Sequence, residues 1–219
     1  MHLSVMEFLI ENVLDEEIKD KRILEVGSRY VNGSVRPFIE RLNPKEYIGV
    51  DIESGKYVDI ICPAEKLVER FGEESFDVVI ATELLEHVKD WRIVITNMKK
   101  VLKTSGYIYI TTRSLGFSFH SYPYDFWRYE MDDMRRIFFD FKILNLQSDH
   151  GPPGVFLKAI KPEKYLPMSL SSLELYSMTI GKRTKSIPDI DDMPVLRKLG
   201  IFGKQTLSSI IRNLYHHLK

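Results

Sequence analysis

Two acidic residues stand where short apolar runs meet polar loops, and a carboxylate in that place can bind a polar ligand. Glu25 precedes Gly27, and Asp51 ends the apolar run 47–50. Gly27 has no Cβ, so a ligand can approach the backbone closely there. Asp51 follows Gly27 by 24 residues, close to the ~20 expected for an acid that hydrogen-bonds ribose hydroxyls at the end of a second strand. The pattern predicts a βαβ unit that binds a ribose-containing ligand.

The dinucleotide-binding fingerprint is missing from this region. Gly27-Ser28-Arg29 does not have the spacing G-x-G, and Gly33 lies too far from Gly27 to complete the pattern. A single glycine turn followed by a ribose-binding acid suits a ligand without a pyrophosphate. This disfavours an NAD-dependent or nucleotide-sugar enzyme.

A second group of polar residues follows the apolar run 76–81. Thr82, Glu83 and His87 come directly after this predicted strand. Because ligands of open α/β sheets bind outside the carboxyl ends of the strands, we expect these residues near the ligand. A lone histidine in such a loop has either a direct chemical role or a structural one, and the sequence leaves both open for His87.

The stretch 112–129 combines aromatic and polar side chains after another predicted strand, 107–112. This composition is typical of a pocket with a few convergent polar groups. The candidates for contact with an acceptor substrate are His120, Tyr122, Tyr124, Asp125, Trp127 and Arg128. The alternative is that the aromatic rings close the core and that Asp125 pairs with Arg128.

Four motifs in a fixed order give the chain a resemblance to a known family. They read LEVGS with NGS, then GVD, then FDVVIATELLEHV, then LKTSGYIYITT. Residues 22–162 thereby resemble the class I S-adenosylmethionine-dependent methyltransferases, and within them the type 11 group. The resemblance implies a Rossmann-like, seven-stranded, mostly parallel sheet with one antiparallel strand and helices on both faces.

The resemblance also implies a cofactor, S-adenosyl-L-methionine, and a set of residues that bind it. Glu25 and Gly27 would shape the methionine end, Asp51 would bind the ribose, and Thr82 and Glu83 would flank the sulfonium. The full set of implied cofactor residues is Glu25, Gly27, Ser28, Asp51, Ile52, Ala64, Thr82, Glu83 and Leu84. Pro63 departs from the family pattern, since an acid usually stands there. The adenine contact then comes from the Ala64 backbone or from water, unless Pro63 only starts a helix.

Methyl transfer needs alignment more than bond-making side chains, because the cofactor carries the reactive group. A general base is needed only where the acceptor loses a proton, and His87, His120 and Asp125 are the catalytic candidates. We expect no metal, because the histidines form no H-x-x-x-H pair and no cysteine pair is present.

Composition narrows the class of protein. The 219 residues carry a net charge of zero, so a nucleic-acid partner is not expected. The single cysteine, Cys62, fits a reducing compartment. The chain shows neither a leader peptide nor a run of ~18 apolar residues, which predicts a cytoplasmic protein.

The predicted division places the methyltransferase domain at residues 1–162, with a helix over 1–20 as its N-terminal cover. Within it, Ser34 starts a helix over 35–41, Asp90 caps a helix over 91–102, and Gly106 supplies the turn after that helix. Further helices are predicted over 64–70 and 131–139, and strands over 58–62, 141–146 and 155–160.

Residues 163–219 are predicted to form a mostly helical extension. From residue 151 onward the chain has 11 basic against 5 acidic residues. An apolar stripe that includes Leu207, Ile211 and Leu218 indicates a face for packing, for a homodimer or for an anionic membrane surface.

The predicted function is methyl transfer to a small molecule or to a sugar- or lipid-linked intermediate. The alternative is a cofactor-binding scaffold or regulatory protein on a degenerate methyltransferase fold, suggested by Pro63 and by the insert after Gly27.

Overall fold

A computed structural model describes residues 2–120 and 124–195. Within them the α-helices are α1 (Leu3–Asn12), α2 (Asp15–Ile18), α3 (Arg36–Glu40), α4 (Leu67–Phe71), α5 (Trp91–Val101) and α6 (Met131–Ile137). The strands are β1 (Arg22–Val26), β2 (Glu46–Asp51), β3 (Ile60–Ile61), β4 (Phe76–Thr82), β5 (Leu102–Arg113), β6 (Trp127–Arg128), β7 (Lys142–Ser148), β8 (Gly154–Ile160), β9 (Leu175–Ser177) and β10 (Lys182–Thr184). Single turns of 3-10 helix cover Ala64–Lys66, Leu85–His87 and Ile190–Asp192.

The main sheet has seven strands in the order β3-β2-β1-β4-β5-β8-β7. The pairs from β3 to β5 are parallel, whereas β8 runs antiparallel to both β5 and β7. The strand order reverses between β1 and β4, which is the switch point where open α/β sheets bind ligands. The predicted seven-stranded sheet with one antiparallel strand is confirmed.

Both faces of the sheet are covered, which explains why the central strands are near-continuous apolar runs. Ile23 and Ile80 belong to the core on the side of α1 and α3. Leu24 and Val79 belong to the core on the opposite side, with Trp91 and the rest of the apolar stripe of α5. Successive side chains of β1 and β4 therefore pack into opposite cores. This alternation determines which of their residues can lie at the carboxyl edge of the sheet.

The N-terminal cover is two helices rather than the single helix predicted over 1–20. The break falls at Val13, whose backbone is extended. Lys158 explains it, because its Nζ donates to the Asn12 carbonyl at 2.7 Å and forms an ion pair with Glu17 at 2.7 Å. The Lys158 ammonium thus caps the C-terminal end of α1 and, through its ion pair with Glu17, holds α2 against the sheet.

The turn after α5 also differs from the prediction. Asp90 does cap the helix, since its Oδ1 accepts a hydrogen bond from the Ile93 backbone nitrogen at 3.3 Å. The left-handed residue is Ser105, at φ +63°, and not Gly106. Gly106 is required for close packing instead, because a Cβ there would lie 2.8 Å from the Asp77 carbonyl oxygen.

The extension begins with strands where mainly helix was predicted. β9 pairs antiparallel with both β6 and β10 in a small second sheet. This sheet joins residues 163–195 to the segment that follows β5, across the predicted domain boundary. The apolar stripe predicted beyond residue 195 lies outside the described residues. No helix in the described part of the chain is long and apolar enough to cross a membrane.

Candidate functional site

The turn after β1 is built for close backbone approach. Gly27 has φ +79°, a conformation that disfavours side chains with a Cβ. A Cβ at this position would lie 2.9 Å from Leu84 Cδ1. The backbone nitrogens of Gly27 and Ser28 both donate to the Val50 carbonyl, at 2.8 and 3.0 Å. The turn therefore ties the ends of β1 and β2 together and brings the segment after β4 against them.

Asp51 lies at the end of β2 with a half-buried side chain. Its Oδ2 accepts from the Arg29 backbone nitrogen and its Oδ1 from the Glu53 backbone nitrogen, each at 3.2 Å. Each carboxylate oxygen has more than one acceptor site, so both can accept further hydroxyl donors. The neighbouring Ile52 is 62% exposed, and Ser28 presents a buried Oγ that has no hydrogen-bond partner among the described residues.

Glu25 was expected at the mouth of the sheet, but its carboxylate is buried. The residue is 2% exposed, and its Oε2 accepts a hydrogen bond from the Tyr47 hydroxyl at 2.7 Å. Burial raises the pKa of Glu25 from 4.5 to about 7, against the lowering effects of the Tyr47 hydroxyl and the Arg36 charge. Glu25 therefore belongs to the packed face under α3, and its assignment to the methionine end stays a prediction.

Pro63 stands directly before the single 3-10 turn Ala64–Lys66, with φ −60°. Its fixed φ suits the start of a helical turn. Ala64 is buried, and its carbonyl oxygen accepts from Asn97 Nδ2 at 3.3 Å.

The end of β4 carries a charged network. Thr82 is the last strand residue, and Glu83 follows with φ +53°. The Glu83 carboxylate pairs with Arg113, whose Nη1 lies 3.0 Å from Asp149 Oδ2. Arg113 is fully buried. Glu83 is thus held beside β5 by a partner that the sequence analysis did not identify.

Two histidine rings lie together over the carboxyl ends of β4 and β5. The ring centroids of His87 and His120 are 4.8 Å apart, and the side chains are 25% and 31% exposed.

The hydrogen bonds of this pair fix its geometry. His87 Nδ1 lies 2.5 Å from the Tyr124 carbonyl oxygen. Since a carbonyl only accepts, Nδ1 carries a proton, and Nε2 is the nitrogen that holds the lone pair in the neutral ring. His120 Nδ1 lies 3.2 Å from Asp125 Oδ2. The His87 ring is therefore oriented by a hydrogen bond, whereas His120 Nδ1 lies close to Asp125 without a hydrogen bond among the described residues.

Glu86 lies next to this histidine pair, and it was not among the residues predicted from the sequence. Its side chain is fully buried, and its Oε2 accepts from the Thr112 hydroxyl at 2.8 Å. Its Oε1 lies 4.0 Å from His87 Nε2. The signal was present in the adjacent pair Glu86-His87, but nothing local linked that pair to His120.

Three residues predicted to serve catalysis or the acceptor are buried. Asp125 and Arg128 are fully buried and form a two-pronged ion pair, at 2.5 and 2.8 Å. Trp127 is also fully buried, and its Nε1 donates to the Lys89 carbonyl at 3.1 Å. These contacts favour the alternative in which the aromatic rings close the core and Asp125 pairs with Arg128, and contact of the three side chains with an acceptor stays a prediction.

Tyr124 and Tyr122 are the two tyrosines among the candidates for contact with the acceptor. Tyr124 is 61% exposed, so its ring is accessible to a substrate. Tyr122 lies outside the described residues.

Comparison with known proteins shows which family the chain belongs to. A family model described as a methyltransferase domain matches residues 4–146, well over half of the chain. The chain belongs to this methyltransferase domain family. The prediction of a class I S-adenosylmethionine-dependent methyltransferase is therefore confirmed.

Individual relatives agree with the family. The chain is 38% identical over 61 residues to a ubiquinone biosynthesis O-methyltransferase from Idiomarina loihiensis, a match that covers 28% of this chain and 25% of the relative. The fold is similar to an S-adenosylmethionine-dependent methyltransferase from Mesorhizobium loti, with TM-score 0.56 and 13% identity over 72% of this chain and 98% of that one.

A third relative was solved with ligands. It is the 1,6-didemethyltoxoflavin-N1-methyltransferase from Burkholderia thailandensis, bound to 1,6-didemethyltoxoflavin and S-adenosylhomocysteine. The TM-score is 0.55 at 13% identity, over 73% of this chain and 77% of that one.

Proposed function

We propose that this chain transfers the methyl group of S-adenosylmethionine to an oxygen of a small molecule or of a sugar- or lipid-linked intermediate. One observation carries the proposal. Leu84 packs against the Gly27 turn, and its carbonyl accepts from the His87 backbone nitrogen at 2.9 Å. The predicted cofactor turn and the histidine pair are therefore neighbours through a single residue.

The residues at the carboxyl edge fit the cofactor. The Asp51 carboxylate has free acceptor capacity for two ribose hydroxyls, and the exposed Ile52 offers an apolar surface for a base. The Gly27 turn would hold the methionine end. When bound, the cofactor supplies an electrophilic methyl group on sulfur.

The acceptor side is formed by His87, His120 and Tyr124. Among the candidates that the structure describes, these three side chains are partly or largely exposed, so an acceptor can reach them. A ring nitrogen of an imidazole that carries no proton can take the proton of an acceptor hydroxyl. The O-methyltransferase name of the curated relative supports oxygen as the acceptor atom.

Two measurements test the proposal. Isothermal titration with S-adenosylhomocysteine should show one binding site, and a panel of phenols, sugars and lipid-linked hydroxyl compounds should include a methylated product. The absence of binding at high micromolar ligand would refute the cofactor assignment. Binding without turnover over the whole panel would favour the scaffold alternative.

A further inference from the structure

We infer that Glu86, His87 and His120 form a binding site for a divalent transition-metal ion. Each residue offers one ligand atom, and these atoms lie within 4.8 Å of one another. The ion binding itself does not depend on the proposed function, whereas its role in activating an acceptor does.

The buried Glu86 carboxylate is the first argument. Glu86 Oε1 has no hydrogen-bond partner among residues 2–120 and 124–195, while Oε2 already accepts from Thr112. Burying a carboxylate oxygen without a donor or a cation is costly. A metal ion between Glu86 and the two rings would remove that cost.

The orientation of the rings is the second argument. The Tyr124 carbonyl holds the proton of His87 on Nδ1, which leaves Nε2 as a ligand on the side of Glu86. Asp125 lies 3.2 Å from His120 Nδ1 and is itself fixed by Arg128. A metal-binding histidine usually donates its other ring N–H to a carbonyl or carboxylate; His87 does so, and the Asp125 carboxylate lies within 3.2 Å of the corresponding nitrogen of His120.

The donor set defines the class of ion. Two imidazoles and one carboxylate match three-ligand zinc sites, which keep a position open for water or substrate. Bonds of about 2.0–2.2 Å place ligand atoms about 3–4 Å apart, so the side chains must close by roughly 1 Å. With the two rings as ligands and not as bases, an acceptor hydroxyl in the open position would have a lowered pKa and would lose its proton to water before methyl transfer.

The test uses tag-free protein treated with a chelator and then titrated with zinc chloride. We expect one ion per chain, and at least tenfold weaker binding in His87→Ala and in His120→Ala. His150→Ala is the matched control, because His150 is exposed and pairs with Glu7 away from the cluster. Far-UV circular dichroism checks that each variant is folded, and Glu86→Gln provides a near-isosteric variant.

The outcomes separate this inference from the proposed function. Zinc binding that is absent, or unchanged in both histidine variants, overturns the metal site even when S-adenosylhomocysteine binds normally. Loss of S-adenosylhomocysteine binding alone would refute the proposed function and leave the metal site standing. With both intact, removal of the ion should lower turnover without weakening S-adenosylhomocysteine binding.

Discussion

The buried carboxyl group of Glu25 should make the stability of the protein depend on pH. Its pKa is about 7 in the folded chain and 4.5 as the ordinary value. Between these two values the folded state binds more protons than the unfolded state. The free energy of unfolding therefore falls as pH rises from about 4.5 to about 7 and is constant above that window.

The size of the effect follows from the pKa difference. One pKa unit corresponds to about 1.4 kcal/mol, so ionisation of Glu25 costs roughly 3 kcal/mol in full. About 2 kcal/mol of this loss of stability occurs between about pH 5.5 and pH 8. Glu25→Gln removes the ionisation and keeps an oxygen that can accept from the Tyr47 hydroxyl. The stability of the variant relative to the original chain should rise by about 2 kcal/mol over the same interval.

Urea denaturation at the two pH values measures this difference, because other titrating groups contribute equally to both proteins. Glu16→Gln is the control, since Glu16 is exposed on α2 and a surface change should stay within about 0.5 kcal/mol. A difference between Glu25→Gln and the original chain that does not vary with pH would refute the reasoning.

Three further predictions concern the site and its support. Asp51→Ala should weaken S-adenosylhomocysteine by roughly 2–3 kcal/mol, about 30- to 150-fold by titration calorimetry, because charge-assisted bonds to the ribose are lost; unchanged affinity would remove the ribose assignment. Asp125→Ala should lower the free energy of unfolding by about 3–5 kcal/mol in urea, because it leaves Arg128 buried and unpaired; a loss under 1 kcal/mol would contradict this. Truncation after Ile187 should leave S-adenosylhomocysteine affinity within about threefold, under ~0.7 kcal/mol, since the assigned cofactor residues lie before Glu86; a soluble, monodisperse product without binding would contradict it.

The centre of the sheet was predictable because β1 and β4 are largely buried on both faces. A buried parallel strand needs an apolar run, and β1, β2 and β4 each have one next to a glycine or an acid. The same property places Asp51 and the residues after β4 at one edge of the sheet.

Features that depend on distant partners could not be read from the sequence. The break between α1 and α2 depends on Lys158, which is far along the chain. The two residues of β6 are too few to show a strand period, so their pairing with β9 gave no local signal. Glu86 likewise could not be predicted as a site residue, because only the fold brings His120 beside it.

The pairing of β6 with β9 has a consequence for synthesis of the chain. Trp127 and Arg128 pair with residues 176 and 177, which leave the ribosome roughly 50 residues later, about 3–10 s at ordinary elongation rates. The strands that carry the cofactor residues are complete well before that time. A nascent chain therefore holds its cofactor half before the segment over the acceptor side has gained its last strand partner.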